Sequence, residues 1–127
     1  PTYPEYAINR YAMETKRLLD VLDKHLGDGN KQYVCGDQYT IADMAIWPWI
    51  GWLVDGKLYG EAAEFLQVKE YKNLCAWSKR IGERPAVKRG RMVNRPFGEK
   101  SEQLHNRHAR SDFDTKTQDK LEHSGRS

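Results

Sequence analysis

Cysteine occurs only twice in the 127 residues, at Cys35 and Cys75, and no C-x-x-C pair is present. That spacing excludes a thioredoxin-type redox motif within the chain and leaves no cysteine set for zinc. Nucleotide-cradling glycine loops of the G-x-G-x-x-G kind are absent, and no Ser, His and Asp set stands at a readable spacing. Catalytic chemistry is therefore not visible in the residues themselves. Charge of one sign is not in excess either: 21 Lys and Arg against 18 Asp and Glu leave +3 and a pI near 8.9. So small a surplus does not imply nucleic acid. The opening "PTYPEYAINR" has neither an apolar core nor a small-residue cleavage site, so no secretory leader is expected. Two free thiols then suit a reducing cytoplasm. No alternating strand pattern of any length occurs, and no internal repeat with a period of roughly 20–50 residues.

The longest apolar run, "TIADMAIWPWIGWL" at 40–53, is shorter than the ~20 residues a bilayer requires. It also carries Asp43 and Pro48, so it predicts no membrane span. Thr40 followed three residues later by Asp43 is a variant capping box: the hydroxyl accepts from a first-turn amide while the carboxylate reaches back to the amide of Thr40. A helix is expected to start there, with Tyr39 and Met44 placed to close a hydrophobic staple. Ala42, Ala45, Ile46, Trp49, Ile50 and Leu53 recur at helical spacing, and Trp47 and Trp52 cover the remaining arc. Such a helix is apolar nearly all round and belongs in the middle of a domain. Pro48 removes the amide that would bond Met44, predicting a kink or break near Trp47. The capping position accounts for Asp43 better than a catalytic role does.

Residues 2–26 read as another helix, with Thr2 and Glu5 as a second capping box and Gly27 as its stop. Ile8, Tyr11, Ala12, Thr15, Leu18, Leu19, Leu22 and Leu26 fall on one stripe, whereas Arg10, Glu14, Arg17 and Val21 form a flank beside it. "GDGNKQYVCGD" at 27–37 is a loop by its Gly, Asn and Asp content. "EAAEFL" from 61 suits a short helical piece, Tyr71 to Ile81 an amphipathic helix ended by Gly82, and "PAVKRG" from Pro85 a short last helix. The fold class these patterns predict is all-α.

From about residue 96 the composition turns polar, and the stretch from Gly98 holds few apolar residues, chiefly Leu104, Phe113 and Leu121. We read 1–95 as a helical domain and 96–127 as a tail, mobile or draped over another surface through Leu104 and Phe113. His105 and His108 are three apart, but no third ligand completes a metal set, so no metal is expected. Lys88, Arg89, Arg91 and Arg95 form a basic cluster suited to solvent, to the tail's carboxylates or, less readily, to an anionic ligand.

Together, "EYAINRYAMETKRLLDVLDK", "YTIADMAIWPW" and "WSKRIGERPAVKRGRMVNR" resemble the C-terminal helical domain of the glutathione transferases. "EYAINR" and "ERPAVKRGRMVNR" narrow the likeness to the bacterial Nu class, the glutathione-dependent disulfide-bond reductases, and it extends into "EQLHNRH" and "SDFDT". The resemblance implies a helical bundle that starts at the family's second long helix, with the glutathione-binding thioredoxin-like domain missing from this chain. It implies glutathione as cosubstrate and a homodimer in the complete protein, with no nucleic-acid or membrane partner. It also assigns Arg10 to a glutathione carboxylate, for which a planar guanidinium is suited. Glu14, one turn on, is the alternative partner for Arg10 in a surface ion pair. The rival reading of the whole chain is a non-catalytic helical interaction module.

Overall fold

The computed structural model describes residues 4–95, 98–100, 103 and 110–111. Thr2, Leu104, His105, His108, Phe113 and Leu121 lie outside the described residues. The elements in chain order are α1 (Glu5–Gly27), α2 (Ile41–Val54), α3 (Ala62–Phe65), a 3-10 turn (Val68–Glu70), α4 (Lys72–Gly82) and α5 (Pro85–Gly90). Among the described residues there is no strand; an isolated antiparallel bridge joins Tyr33 and Gly36 in the loop after α1. The chain divides into two compact units, Pro1–Arg80 and Ile81–Ser127.

α1 begins later than the Thr2 box predicts, because Pro4 is extended (φ −64, ψ 111) and serves as the N-cap through its carbonyl. That carbonyl accepts from Ala7 at 2.9 Å and Ile8 at 3.3 Å. Gly27 is the last helical residue rather than the stop, and the chain exits through the left-handed Gly29 and Asn30. A Cβ at position 27 would stand 2.7 Å from Nδ2 of Asn73, so any larger residue there would have to move that side chain.

Asn73 comes that close because α1 holds the start of α4. One oxygen of the Asp23 carboxylate accepts from the amide of Leu74 at 2.9 Å, and the other accepts from Asn73 Nδ2 at 3.3 Å. Asp23 thus satisfies one first-turn amide, that of Leu74, of a helix far along the chain, as an N-cap would from within the sequence. Further up α1, Lys16 Nζ donates to the Gln67 side chain at 2.7 Å. Gln67 itself is left-handed (φ 56) and separates α3 from the 3-10 turn. The single helical piece expected from residue 61 is therefore two.

The core of the first unit is Leu19 and Leu26 of α1, Trp47 and Leu53 of α2, Leu66, Val68, and Leu74 and Trp77 of α4. α2 stays helical through Pro48, so of the kink or break expected there the break does not occur. Trp47, one residue earlier, is buried and donates its indole N–H to the Ser78 carbonyl at 2.9 Å, which fixes the turn that lost a donor. Its ring lies so close to the backbone one turn on that a Cβ at Gly51 would come within 2.6 Å. The face of α2 that is buried carries Asp43, Trp47 and Gly51, not the whole circumference: Trp49 is 75% exposed and Ile41 82%. Trp49 joins Leu18, Val21 and Ile46 in an open apolar concavity of about 540 Å3 between α1 and α2. In the second unit Pro85 starts α5 as predicted, and Ile81 and Met92 are buried.

Candidate functional site

Asp43 is completely buried, and its carboxylate collects donors from three segments. Oδ2 accepts from the amide of Thr40 at 2.9 Å and from the Thr40 hydroxyl at 3.3 Å. Oδ1 accepts from the amide of Val34 at 3.0 Å and from the Trp77 indole at 2.8 Å. The Thr40 hydroxyl accepts in turn from Ala42 at 3.3 Å, so both halves of the capping box are made. Burial alone would raise this carboxyl; the hydrogen bonds from Trp77, Val34 and Thr40 outweigh it and hold the group below its ordinary value. With its lone pairs so engaged, the group is an anchor for the loop, α2 and α4. Tyr33 and Tyr39 pack edge to face at 5.6 Å beside it, and Arg80 lies over the Tyr33 ring while donating to the Gln32 carbonyl at 2.6 Å.

Arg10 is treated in the opposite way. It precedes Leu19 by nine residues, two and a half helical turns, and so points away from the buried side of α1 rather than lying beside it. Glu14 does not take it: both Glu14 oxygens are held by Arg17, at 2.9 and 2.7 Å. That bonding holds the Glu14 carboxyl below its usual range, with a smaller attraction from Arg10, and raises Arg17. Among the described residues no ion pair engages Arg10. Around it Tyr6, Asn9, Tyr11, Met13, Glu14 and Arg17 line a surface concavity of about 640 Å3. Tyr6, Asn9 and Met13 were not singled out in the sequence, although Tyr6 and Met13 lie on the side of α1 turned away from Leu19 and Leu26 and Asn9 lies at its edge.

The remaining candidates are structural. Cys75 is half-buried with its thiol toward the Val68 carbonyl at 3.4 Å, and burial pushes that thiol up, away from the thiolate a redox role needs. Lys88, Arg89, Arg91 and Arg95 are half-buried and each engaged within the chain, so they form no bare basic patch. Among the described residues no group of three or more His, Cys, Asp or Glu could hold a metal ion, and no helix is long and apolar enough to cross a membrane.

An all-α unit with a capped, tryptophan-rich α2 held against α4 by one buried aspartate defines a class of domain. The family described as "Glutathione S-transferase, C-terminal domain" matches residues 5–80, and the chain belongs to it. It is 61% identical to the disulfide-bond oxidoreductase YghU of Escherichia coli over 120 residues, 94% of this chain and 41% of that protein. A second E. coli relative, the disulfide-bond oxidoreductase YfcG, is 37% identical over 65% of this chain and 34% of its own length. Among solved structures, the glutathione transferase YghU of Streptococcus pneumoniae, complexed with glutathione, superposes with a TM-score of 0.66 at 54% identity. The alignment covers 71% of this chain and 34% of that one. The chain thus spans about two fifths of its E. coli relative YghU.

Proposed function

We propose that this chain is the helical part of a glutathione-dependent disulfide-bond reductase, with Arg10 binding a carboxylate of glutathione. The observation that carries the reading is the open Arg10 guanidinium: Glu14, its nearest candidate partner, is committed to Arg17. Support comes also from two relatives named disulfide-bond oxidoreductases and from a similar structure that holds glutathione.

The reaction is two thiol–disulfide exchanges. A glutathione thiolate attacks one sulfur of the substrate disulfide; that S–S bond breaks, a mixed disulfide forms and the departing thiolate takes up a proton. A second glutathione thiolate attacks the glutathione sulfur of the mixed disulfide, releasing the second substrate thiol and leaving glutathione disulfide. Two electrons pass from two glutathiones to one substrate. Each exchange needs a stabilised thiolate. The chain's own cysteines do not provide one in this scheme, and the thioredoxin-like domain outside the chain would stabilise that of glutathione. The chain alone is then inactive, and the complete protein works as a cytoplasmic homodimer. Within the chain, 1–95 is the helical domain and 96–127 a polar tail.

The test is titration of reduced and oxidised glutathione into the full-length protein, followed by tryptophan fluorescence, with and without Arg10→Ala. A charged hydrogen-bonded contact is worth about 1.5–3 kcal/mol, so the variant should bind roughly 10- to 100-fold more weakly. An unchanged Kd would overturn the assignment.

A further inference from the structure

Glu14 stands about one helical turn from two arginines, Arg10 before it and Arg17 after it, so one carboxylate has two cations within reach. It cannot bond both as a fork. Arg17 donates from Nε to Oε2 at 2.9 Å and from Nη2 to Oε1 at 2.7 Å, one bond to each carboxylate oxygen. Two parallel bonds fix the plane of the carboxylate and turn both oxygens toward Arg17. Arg10 contributes only the last and smallest of the influences on the Glu14 carboxyl. That division matters to a ligand, because an incoming carboxylate must displace any carboxylate already on Arg10 and is repelled by any unneutralised one nearby. The Glu14–Arg17 pair, neutral as a unit, removes both obstacles at once.

We infer that Arg17 is a positioning residue for glutathione: it holds Glu14 off Arg10 and keeps the Arg10 guanidinium open to the ligand's carboxylate, without touching the ligand itself. The inference rests on the assignment of Arg10 above. Without Arg17, Glu14 is released to pair with Arg10 at the (i, i+4) spacing, and glutathione then binds only by breaking that pair. The cation that matters at this position is one that can engage both carboxylate oxygens, which a lysine, with a single point charge, does less well.

The experiment is a double-mutant cycle on the full-length protein, with the Kd for reduced glutathione measured by calorimetry at low salt for wild type, Arg17→Ala, Glu14→Gln and the two changes combined. Arg17→Ala should weaken binding roughly twofold, the size of one helical ion pair expressed as an affinity ratio. In the Glu14→Gln background the same change should have no effect, since no carboxylate remains to be held. Arg17→Lys should recover part of the loss. Raising the salt to about 1 M, where the screening length falls to ~3 Å, should shrink the Arg17→Ala penalty. A purely structural contribution of Arg17 would show neither the dependence on Glu14 nor the dependence on salt. An unchanged Kd in Arg17→Ala would overturn the inference. So would an equal loss with and without Glu14, which would mean that Arg17 bonds the ligand directly. Arg10→Ala, measured alongside, separates the two claims. If it binds glutathione normally, the Arg10 assignment fails. If it binds weakly while Arg17→Ala binds as wild type, only the present inference does.

Discussion

The Asp43 carboxylate is enclosed and accepts hydrogen bonds from Val34, Thr40 and Trp77, whereas the Arg10 guanidinium, on the outward side of α1, is in no ion pair among the described residues. A buried charge is tolerable only when its lone pairs are met, and meeting them commits it to the fold. A solvated charge has no such obligation and can be used by a ligand without first breaking anything. The difference separates residues that make the domain from residues that would make it useful.

The comparison is sharpened most by Asp43→Ala. It leaves the Val34 amide and the Trp77 indole without their acceptor, and should cost about 3–5 kcal/mol in urea unfolding at neutral pH. That is a large share of the ~5–15 kcal/mol that holds a domain together. The ionised carboxylate also predicts a pH dependence. Its folded value lies below the ordinary 3.8, so its contribution is fully present above that point and is lost as the pH falls through the lower, folded value. Asp43→Asn should flatten this part of an acid-unfolding curve followed by circular dichroism; an unchanged acid limb would mean another carboxylate dominates.

Next in size is Gly51→Ala, where a Cβ would meet the locked Trp47 ring at 2.6 Å. Overpacking of this kind costs about 1–3 kcal/mol. Thermal melting together with the Trp47 emission would register it, and wild-type stability would show that the ring can yield. Asp23→Ala removes the acceptor that α1 lends to the start of α4, a loss of about 0.5–2 kcal/mol by analogy with a local N-cap. Arg10→Ala comes last in stability, with a midpoint indistinguishable from wild type, although its effect on glutathione binding is the largest of the four. If it destabilised the domain instead, the contrast with Asp43 would collapse.

Legibility in the sequence followed distance along the chain. Thr40 and Asp43 are three residues apart, so their mutual capping could be read directly. The Asp43 bonds to Val34 and Trp77, across 9 and 34 positions, depend on how the loop and α4 return to α2. Asp23 gave no signal at all, because its partners Asn73 and Leu74 lie on another helix. Around Arg10 the ambiguity was local: Glu14 has arginines at both i−4 and i+3, and spacing rules favour neither. Side-chain placement decided for Arg17. The exposure of Trp49 was missed for a related reason, since periodicity locates an apolar face without saying whether anything in the chain covers it.

One carboxylate joining the loop after α1, the first turn of α2 and the middle of α4 also bears on how the domain opens. Those three segments cannot come apart one at a time without stranding the same anion. The amides of Val34 and Thr40 should therefore exchange with deuterium as a single cooperative unit, at a free energy near that of global unfolding, while amides in the first turns of α1 exchange by fraying. Slow motion in this molecule is then partitioned by a single side chain, with the Arg10 end of α1 on the fast side of the division.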